Sequence, residues 1–320
     1  MISSKNVWLI GTGLMGLEYA KVLKGLGIPF TAIGRGKISC YKFKDETGKN
    51  AIEGGLSAFL QTNPALPSAV IVAVGIEGLS EITCQLLDYE VKYILLEKPG
   101  VGFASEIKDL VRKTKEKGAK VLLAYNRRFY ASVIKAKEII KQDGGVSSFN
   151  FEFTEWSHLI KDLKKCPAEH NNWFLGNSTH IIDTAFYLGG IPKEICTFVK
   201  GKHHLKWHPA SSNFAGAGET VSGSLFSYHA NWEAPGRWSI EIMTNKHRLI
   251  FKPIEKLQIQ NLGSVVIDFV EGIDYSDDEK YKPGLFRQTK SFLNQDTHSF
   301  SDIYQQEVAM GYYVKMSGYK

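Results

Sequence analysis

The chain has 320 residues, too long for one ordinary core and suited to two domains of roughly 100–200 residues each. At 43% hydrophobic and 12% aromatic it is globular, which excludes a disordered or membrane-embedded chain. The 39 basic and 33 acidic side chains leave a net charge of +6 with no basic cluster interleaved with aromatics; that excludes nucleic-acid binding as a class and suits attraction of a phosphorylated substrate or cofactor.

Up to residue 124 short apolar runs alternate with helical patterns, the signature of a parallel sheet with crossover helices. Val7–Ile10 predicts the first strand. A helix follows with Leu17, Ala20, Leu23 and Leu26 on one stripe and Gly27 as its stop. Phe30–Ile33 predicts the second strand, and the unbroken apolar runs Ala69–Val74 and Val91–Leu96 read as strands buried on both faces. Ser105 is placed to cap a helix with Ile107, Leu110 and Val111 inward and Gly118 at its end, and Val121–Tyr125 is a further strand. After this the period changes to two: Phe149, Phe151 and Phe153 alternate with polar residues, as do Thr220–His229, Trp238–Met243, Arg248–Phe251 and Lys256–Gln260. Leu285–Leu293 and Ile303–Met316 look helical. The expectation is an α/β chain: a Rossmann dinucleotide-binding domain over residues 1–124, then an α+β domain with a mostly antiparallel open sheet over residues 125–320.

Three constellations carry chemistry. Gly11-Thr12-Gly13-Leu14-Met15-Gly16 lies between a strand and a helix, where backbone N–H groups and a helix N-terminus meet a pyrophosphate. The acidic residue that would hold a ribose 2′-hydroxyl is missing at the end of the second strand; Gly34 stands in its place, and Arg35 and Lys37 bring positive charge. This pattern favours NADP(H) over NAD(H). Glu97-Lys98-Pro99-Gly100 ends a buried strand, in the crevice where ligands of open α/β sheets sit. Lys98 there is either a surface lysine or, as the strand context favours, a donor to a substrate oxygen beside a nicotinamide; Val74 and Glu97 join the cofactor candidates. In Trp173 to Asp183, Asn177 or Ser178 would cap a helix running to Leu188, with Ile181, Ile182, Ala185, Phe186 and Leu188 on one arc. His180 and Asp183 share the opposite, polar face, which is either solvated surface or a pocket wall.

The glycine fingerprint, Glu97-Lys98-Pro99, Tyr125-Asn126-Arg127-Arg128-Phe129 and His180-x-x-Asp183 occur in the order found in the Gfo/Idh/MocA oxidoreductases, which the chain resembles over nearly its whole length. The family includes glucose–fructose oxidoreductase and inositol dehydrogenase. The resemblance implies NAD(P)-dependent hydride transfer on a sugar or nucleotide-sugar carbonyl/alcohol pair, and a homo-dimer or homo-tetramer. It makes Lys98 and His180 catalytic and places Asp183, Asn177, Arg127 and Trp173 against the substrate. Tyr281-Lys282-Pro283-Gly284 is similar to members associated with surface-polysaccharide sugars.

Two departures stand out. The pattern Asp-x-Gly-x-His is here Gly176-Asn177-Ser178-Thr179-His180, which removes a proton-handling carboxylate. A proline and a histidine common after the strand Ala69–Val74 are replaced by Gly75 and Leu79. Two alternatives stay open: a catalytically impaired NAD(P)-binding sensor or assembly protein, and a reductase of imines or other non-sugar substrates.

His203, His204 and His208, with Cys166 and His170, lack structural zinc spacing, so no metal is expected; a solvated loop, or a cover for the substrate site, is. Trp156, His158 and Asn172 are weaker pocket candidates. Cys40, Cys84, Cys166 and Cys196 form no CxxC pair and fit small buried hydrophobes in a reducing cytosol. The first apolar stretch runs into glycines instead of a cleavage site, and no window offers the ~20 apolar residues of a membrane span. A cytoplasmic protein without a membrane partner is expected.

Overall fold

A computed structural model describes residues 6–164 and 167–319; Cys166 lies outside the described residues. The first half runs β1 (Val7–Ile10), α1 (Leu14–Gly25), β2 (Phe30–Ile33), α2 (Lys37–Thr47), β3 (Ala51–Ile52), α3 (Gly55–Leu60), β4 (Ala69–Val72), α4 (Leu79–Asp88), β5 (Tyr93–Leu96), α5 (Ile107–Glu116) and β6 (Lys120–Leu123). It continues through α6 (Ala131–Gln142), β7 (Ser148–Glu152), α7 (Ser157–Ile160), α8 (Pro167–Asn171), α9 (Thr179–Gly189), β8 (Pro192–Lys200), β9 (Asn213–Thr220) and β10 (Leu225–Asn231). The remainder is β11 (Ser239–Met243), β12 (His247–Phe251), β13 (Gln258–Asn261), β14 (Asp268–Phe269), α10 (Ser276–Lys280), α11 (Leu285–Leu293), β15 (Ser301–Asp302) and α12 (Ile303–Ser317).

The chain divides into two compact units, one reaching to Asn126 and including Ser276–Val308, the other holding Arg127–Tyr275 and the residues from Ala309 onward. This corrects the expected boundary, which gave everything after residue 124 to the second domain. In the first unit the sheet order is β15-β6-β5-β4-β1-β2-β3, parallel except for β15, which runs antiparallel to β6. Order 3-2-1-4-5-6 is the doubly wound dinucleotide arrangement, whose crevice opens where the order reverses, between β1 and β4. β1 and β4 are buried along their whole length. In α1 the buried stripe is Tyr19, Ala20, Val22 and Leu23, while Leu17 and Leu26 are only half-buried. α5 begins without Ser105: the Glu106 carboxylate instead accepts the N–H groups of Gly102 and Phe103, at 2.8 and 2.9 Å. The returning segment packs α11 on α1, with Phe292 stacked on Tyr93 at 4.4 Å and the Tyr281 hydroxyl filling the space beside Gly25.

The second unit's sheet has the order β14-β13-β12-β11-β7-β10-β9-β8 and is antiparallel except for β7 and β10. The aromatic alternation of β7 is its core. Phe149 lies on Phe226 and Phe151 on Tyr228, each pair at 5.4 Å across that parallel register, and Phe186 of α9 meets both β7 rings edge-on. Expected as one strand, Thr220–His229 instead turns at residues 221–224 between β9 and β10. β9 had no signal because its residues include Ala215, Gly216, Ala217 and Gly218; the two glycines leave room for the Tyr228 and Phe226 rings. The other sheet face carries exposed Phe198 and Leu225. Cys196 is exposed, contrary to its reading as a buried hydrophobe, while Cys40 is buried. Among the described residues, no helix is long and apolar enough to cross a membrane.

Candidate active site

In the first unit a cavity of about 450 Å³ lies over the ends of β1, β2 and β4, lined by Gly11, Thr12, Gly13, Arg35, Ser39 and Val74 among others. The three fingerprint glycines have separate causes. Gly11 sits at φ +111, and a Cβ there would strike the Ala73 carbonyl, so only glycine lets β1 close on β4. A Cβ at Gly16 would strike the Gly11 carbonyl, whereas at Gly13 it would meet nothing within 4 Å. Gly13 thus leaves open space at the start of α1, whose first N–H groups have no side-chain cap. Bare amides, the positive end of a helix and cleared space fit a pyrophosphate. Leu14 is 84% exposed beside them.

The end of β2 differs from expectation. A Cβ at Gly34 would meet Cys40 Sγ and Thr12 Oγ1, so this position has no room for the carboxylate it was taken to replace. Gly34 does not line the cavity, and neither does Lys37, whose ammonium lies 5.8 Å from the Tyr41 ring. Arg35 does line it, with Ser39, which accepts the Thr12 hydroxyl at 3.0 Å. α2 also starts without a side-chain cap.

Lys98 is half-buried at the end of β5, beside β4, and its peptide bond to Pro99 is cis. Gln306 Nε2 donates to the Pro99 carbonyl at 2.9 Å, and the Tyr125 hydroxyl donates to Gln306 Oε1 at 3.1 Å. These bonds fix the turn that carries the lysine. Neither Lys98 nor Glu97 lines that cavity; Glu97 is buried and accepts the Tyr19 hydroxyl at 2.8 Å. Burial holds its carboxyl above the usual range, against the charge of Lys98 and the Tyr19 bond. Glu97 therefore ties β5 to α1, which corrects its assignment to cofactor contact.

In the second unit, a π-helical turn over Phe174–Ser178 leads into α9, so neither Asn177 nor Ser178 is the cap expected. Both face Glu155 instead: Asn177 Nδ2 reaches its two oxygens at 2.9 and 3.1 Å, and the Ser178 hydroxyl donates at 2.9 Å. His180 is half-buried in the first turn of α9. Asp183 and Thr184 are buried, so the face opposite the apolar arc is not solvated. The Asp183 carboxylate accepts Arg128 Nε at 2.8 Å and a terminal nitrogen at 2.6 Å. Burial pushes its carboxyl up, against the Arg128 charge. This fork-to-fork pairing leaves it an internal tie and not the substrate contact expected. The Arg127 guanidinium lies 4.7 Å from the Trp238 ring, and among the described residues its Nε has no acceptor. Trp173 lies edge-on to Trp207 at 5.9 Å.

A cavity of about 1090 Å³ within this unit is lined by Glu155, Trp156, His158, Trp207, Trp232 and the loop residues from His204. The histidine-rich loop is thus a wall more than a solvated excursion. His208 is wholly buried, its ring between the Ser211 carbonyl at 2.7 Å and the Tyr319 hydroxyl at 2.6 Å, and burial lowers its pKa. Asn172, Asn177 and Trp173 do not line the cavity. Among the described residues no group of three or more His, Cys, Asp or Glu could hold a metal ion. Sequence reasoning passed over Glu155 and Arg128 as site residues.

No protein-family model matches the chain, and comparison with curated protein sequences finds no match. Solved structures do match in fold. Levoglucosan dehydrogenase in complex with NADH and L-sorbose aligns with a TM-score of 0.78 at 16% identity, over 99% of this chain and 97% of that one. UDP-N-acetylglucosamine 3-dehydrogenase from Acidithiobacillus ferrooxidans aligns at 0.74 and 12% identity, over 98% and 97%. An oxidoreductase from Agrobacterium radiobacter, in complex with NAD+, L-tartaric acid and magnesium, aligns at 0.77 and 11%, over 98% and 96%. The chain has the fold of these proteins: a sheet parallel but for its edge strand, followed by a mostly antiparallel one.

Proposed function

We propose that this chain is an NADP(H)-dependent oxidoreductase of the Gfo/Idh/MocA type, moving a hydride between the nicotinamide and a carbonyl/alcohol carbon of a sugar or nucleotide sugar. The observation that carries the reading is the glycine-built cavity over β1 and β4, lined up to Gly13 at the uncapped start of α1. When bound, the dinucleotide supplies a hydride donor or acceptor. The amides at the start of α1 hold the pyrophosphate, and Val74 walls the cavity. Arg35 and Ser39, at the uncapped start of α2, take a 2′-phosphate, which is why NADP(H) is preferred. Lys98 donates to the substrate oxygen and stabilises the charge that develops there. His180 exchanges the substrate proton. Asp183 acts through Arg128, holding the chain between Arg127 and α6 to α9. The cavity of about 1090 Å³, lined by three tryptophans together with charged and histidine side chains, has the size and the mixed lining to take a nucleotide sugar.

A homo-oligomer is part of the proposal, supported by exposed Phe198 and Leu225 on the open sheet face; sedimentation of wild type and Phe198→Asp tests it. A cytoplasmic setting is supported by three free cysteines among the described residues. The experiment for the activity is NADPH consumption across a panel of keto-sugars, nucleotide keto-sugars and imines. Turnover on a sugar supports the reading, and turnover on imines alone moves it to another substrate class. NADPH binding with no turnover on any member replaces it with the sensor.

A further inference from the structure

We propose that Glu155 is a substrate-binding residue of the second unit's cavity, accepting a sugar hydroxyl on Oε2, so that sugar affinity follows its charge. The inference rests on the reading of that cavity as the sugar site. Glu155 lies three residues beyond the end of β7, in a segment whose Phe153, Thr154 and Glu155 are all buried. Its side chain is 1% exposed, yet it lines the cavity. From the segment after β7 it reaches through space to residues 177 and 178, at the entry to α9.

The acceptor count points to a missing partner. An ionised carboxyl offers about four lone-pair sites. Oε1 takes Asn177 at 2.9 Å and Ser178 at 2.9 Å, and Oε2 takes only Asn177, at 3.1 Å. Arg237 stands 4.0 Å from Oε2, beyond hydrogen-bond reach, with its guanidinium 4.4 Å from the Trp156 ring. One acceptor site on Oε2 is left over on a buried anion, and burying an under-satisfied charge is costly. Burial accordingly pushes the carboxyl up to about 7, against the bonds from Ser178 and Asn177, the charge of Arg237 and the nearby Trp173 indole N–H, which makes no hydrogen bond of its own among the described residues. A hydroxyl from a ligand completes the set, and such a bond is stronger to the carboxylate than to the neutral acid. His158, Lys161, Asp162, His204, Lys206 and Glu233 share the cavity, so a pH effect must be traced to Glu155 by substitution.

The test is isothermal titration calorimetry with NADPH present, using L-sorbose, levoglucosan and UDP-N-acetylglucosamine as probes. Wild type should bind one of them more tightly at pH 8 than at pH 6. At pH 8, Glu155→Gln should weaken that binding by about tenfold or more, the scale of a hydrogen bond to a charged group, and should flatten its pH dependence. A structural role alone would not remove the pH dependence. Should Glu155→Gln fail to fold, wild type alone decides: binding that favours the carboxylate must release protons at pH 7, read by repeating the titration in buffers of different ionisation enthalpy. Equal affinity and pH dependence in wild type and Glu155→Gln, or binding without proton release, overturns the role of Glu155 and leaves the sugar site standing. Failure of wild type to bind any probe overturns the sugar site and the inference with it, while retained NADPH binding keeps the dinucleotide site intact.

Discussion

At the scale of single residues, two buried carboxyls of the second unit do different work. Asp183 is spent on Arg128, and both side chains are largely buried, at 5% and 13% exposed. Removing one partner of such a pair leaves the other charge uncompensated, at a cost of about 3–5 kcal/mol. Asp183→Asn should therefore lower unfolding stability by about 3 kcal/mol or more in denaturant titration; a fully stable variant with weakened substrate binding would return Asp183 to the substrate. Glu155 is the opposite case, a carboxyl whose folded pKa of about 7 lies above its ordinary 4.5. The native state then holds this proton more tightly than the unfolded chain does, so the stabilisation is complete below pH 4.5 and is lost as pH rises through about 7. The loss is on the order of 3 kcal/mol, and it should vanish in Glu155→Gln. Parallel stability curves for wild type and variant across this window contradict the assignment. Glu155 was not legible, because it follows the end of β7 in a loop where Thr154 and Glu155 are both buried. Nor was the pairing of Asp183, because Arg128 and Asp183 belong to separate motifs that nothing in the sequence relates.

At the scale of elements, strands and helices with strong periodicity were legible almost to the residue. β1, β2 and α11 have the expected bounds, since apolar runs ended by glycine or turn residues leave little freedom. What escaped has physical causes. β9 is built on small residues because Tyr228 and Phe226 need the space, so tertiary packing overrides strand propensity. β15 is two residues long and exists only by pairing with β6. The glycine turn between β1 and α1 was readable, but the packing of Gly34 against Thr12 and Cys40 was not. Gly34→Asp should disturb the fold at the start of α2 without restoring a ribose partner, whereas Arg35→Ala should weaken NADPH and leave NADH almost unchanged. Affinities from fluorescence titration check this; equal loss for both nucleotides would remove the 2′-phosphate from Arg35.

At the scale of the whole molecule, the fold class was legible and the division of the chain was not. Counting elements from the N-terminus assigns α10, α11 and β15 to the second domain, yet they complete the first, where α11 covers α1 and β15 extends the sheet. Sequence order carries no signal of such a return. The account's central claim is that the glycine-lined cavity and Lys98 serve hydride transfer to a sugar. The most direct test is incubation with NADPH deuterated at the transferring position of the nicotinamide, with a panel of keto-sugars and nucleotide keto-sugars, followed by mass spectrometry of the sugars. The account predicts one deuterium on the carbon that becomes the alcohol, with the transfer rate cut about 10²–10⁴-fold in Lys98→Ala. NADPH that binds while no sugar gains deuterium, or a Lys98→Ala variant that transfers it at the wild-type rate, contradicts the account.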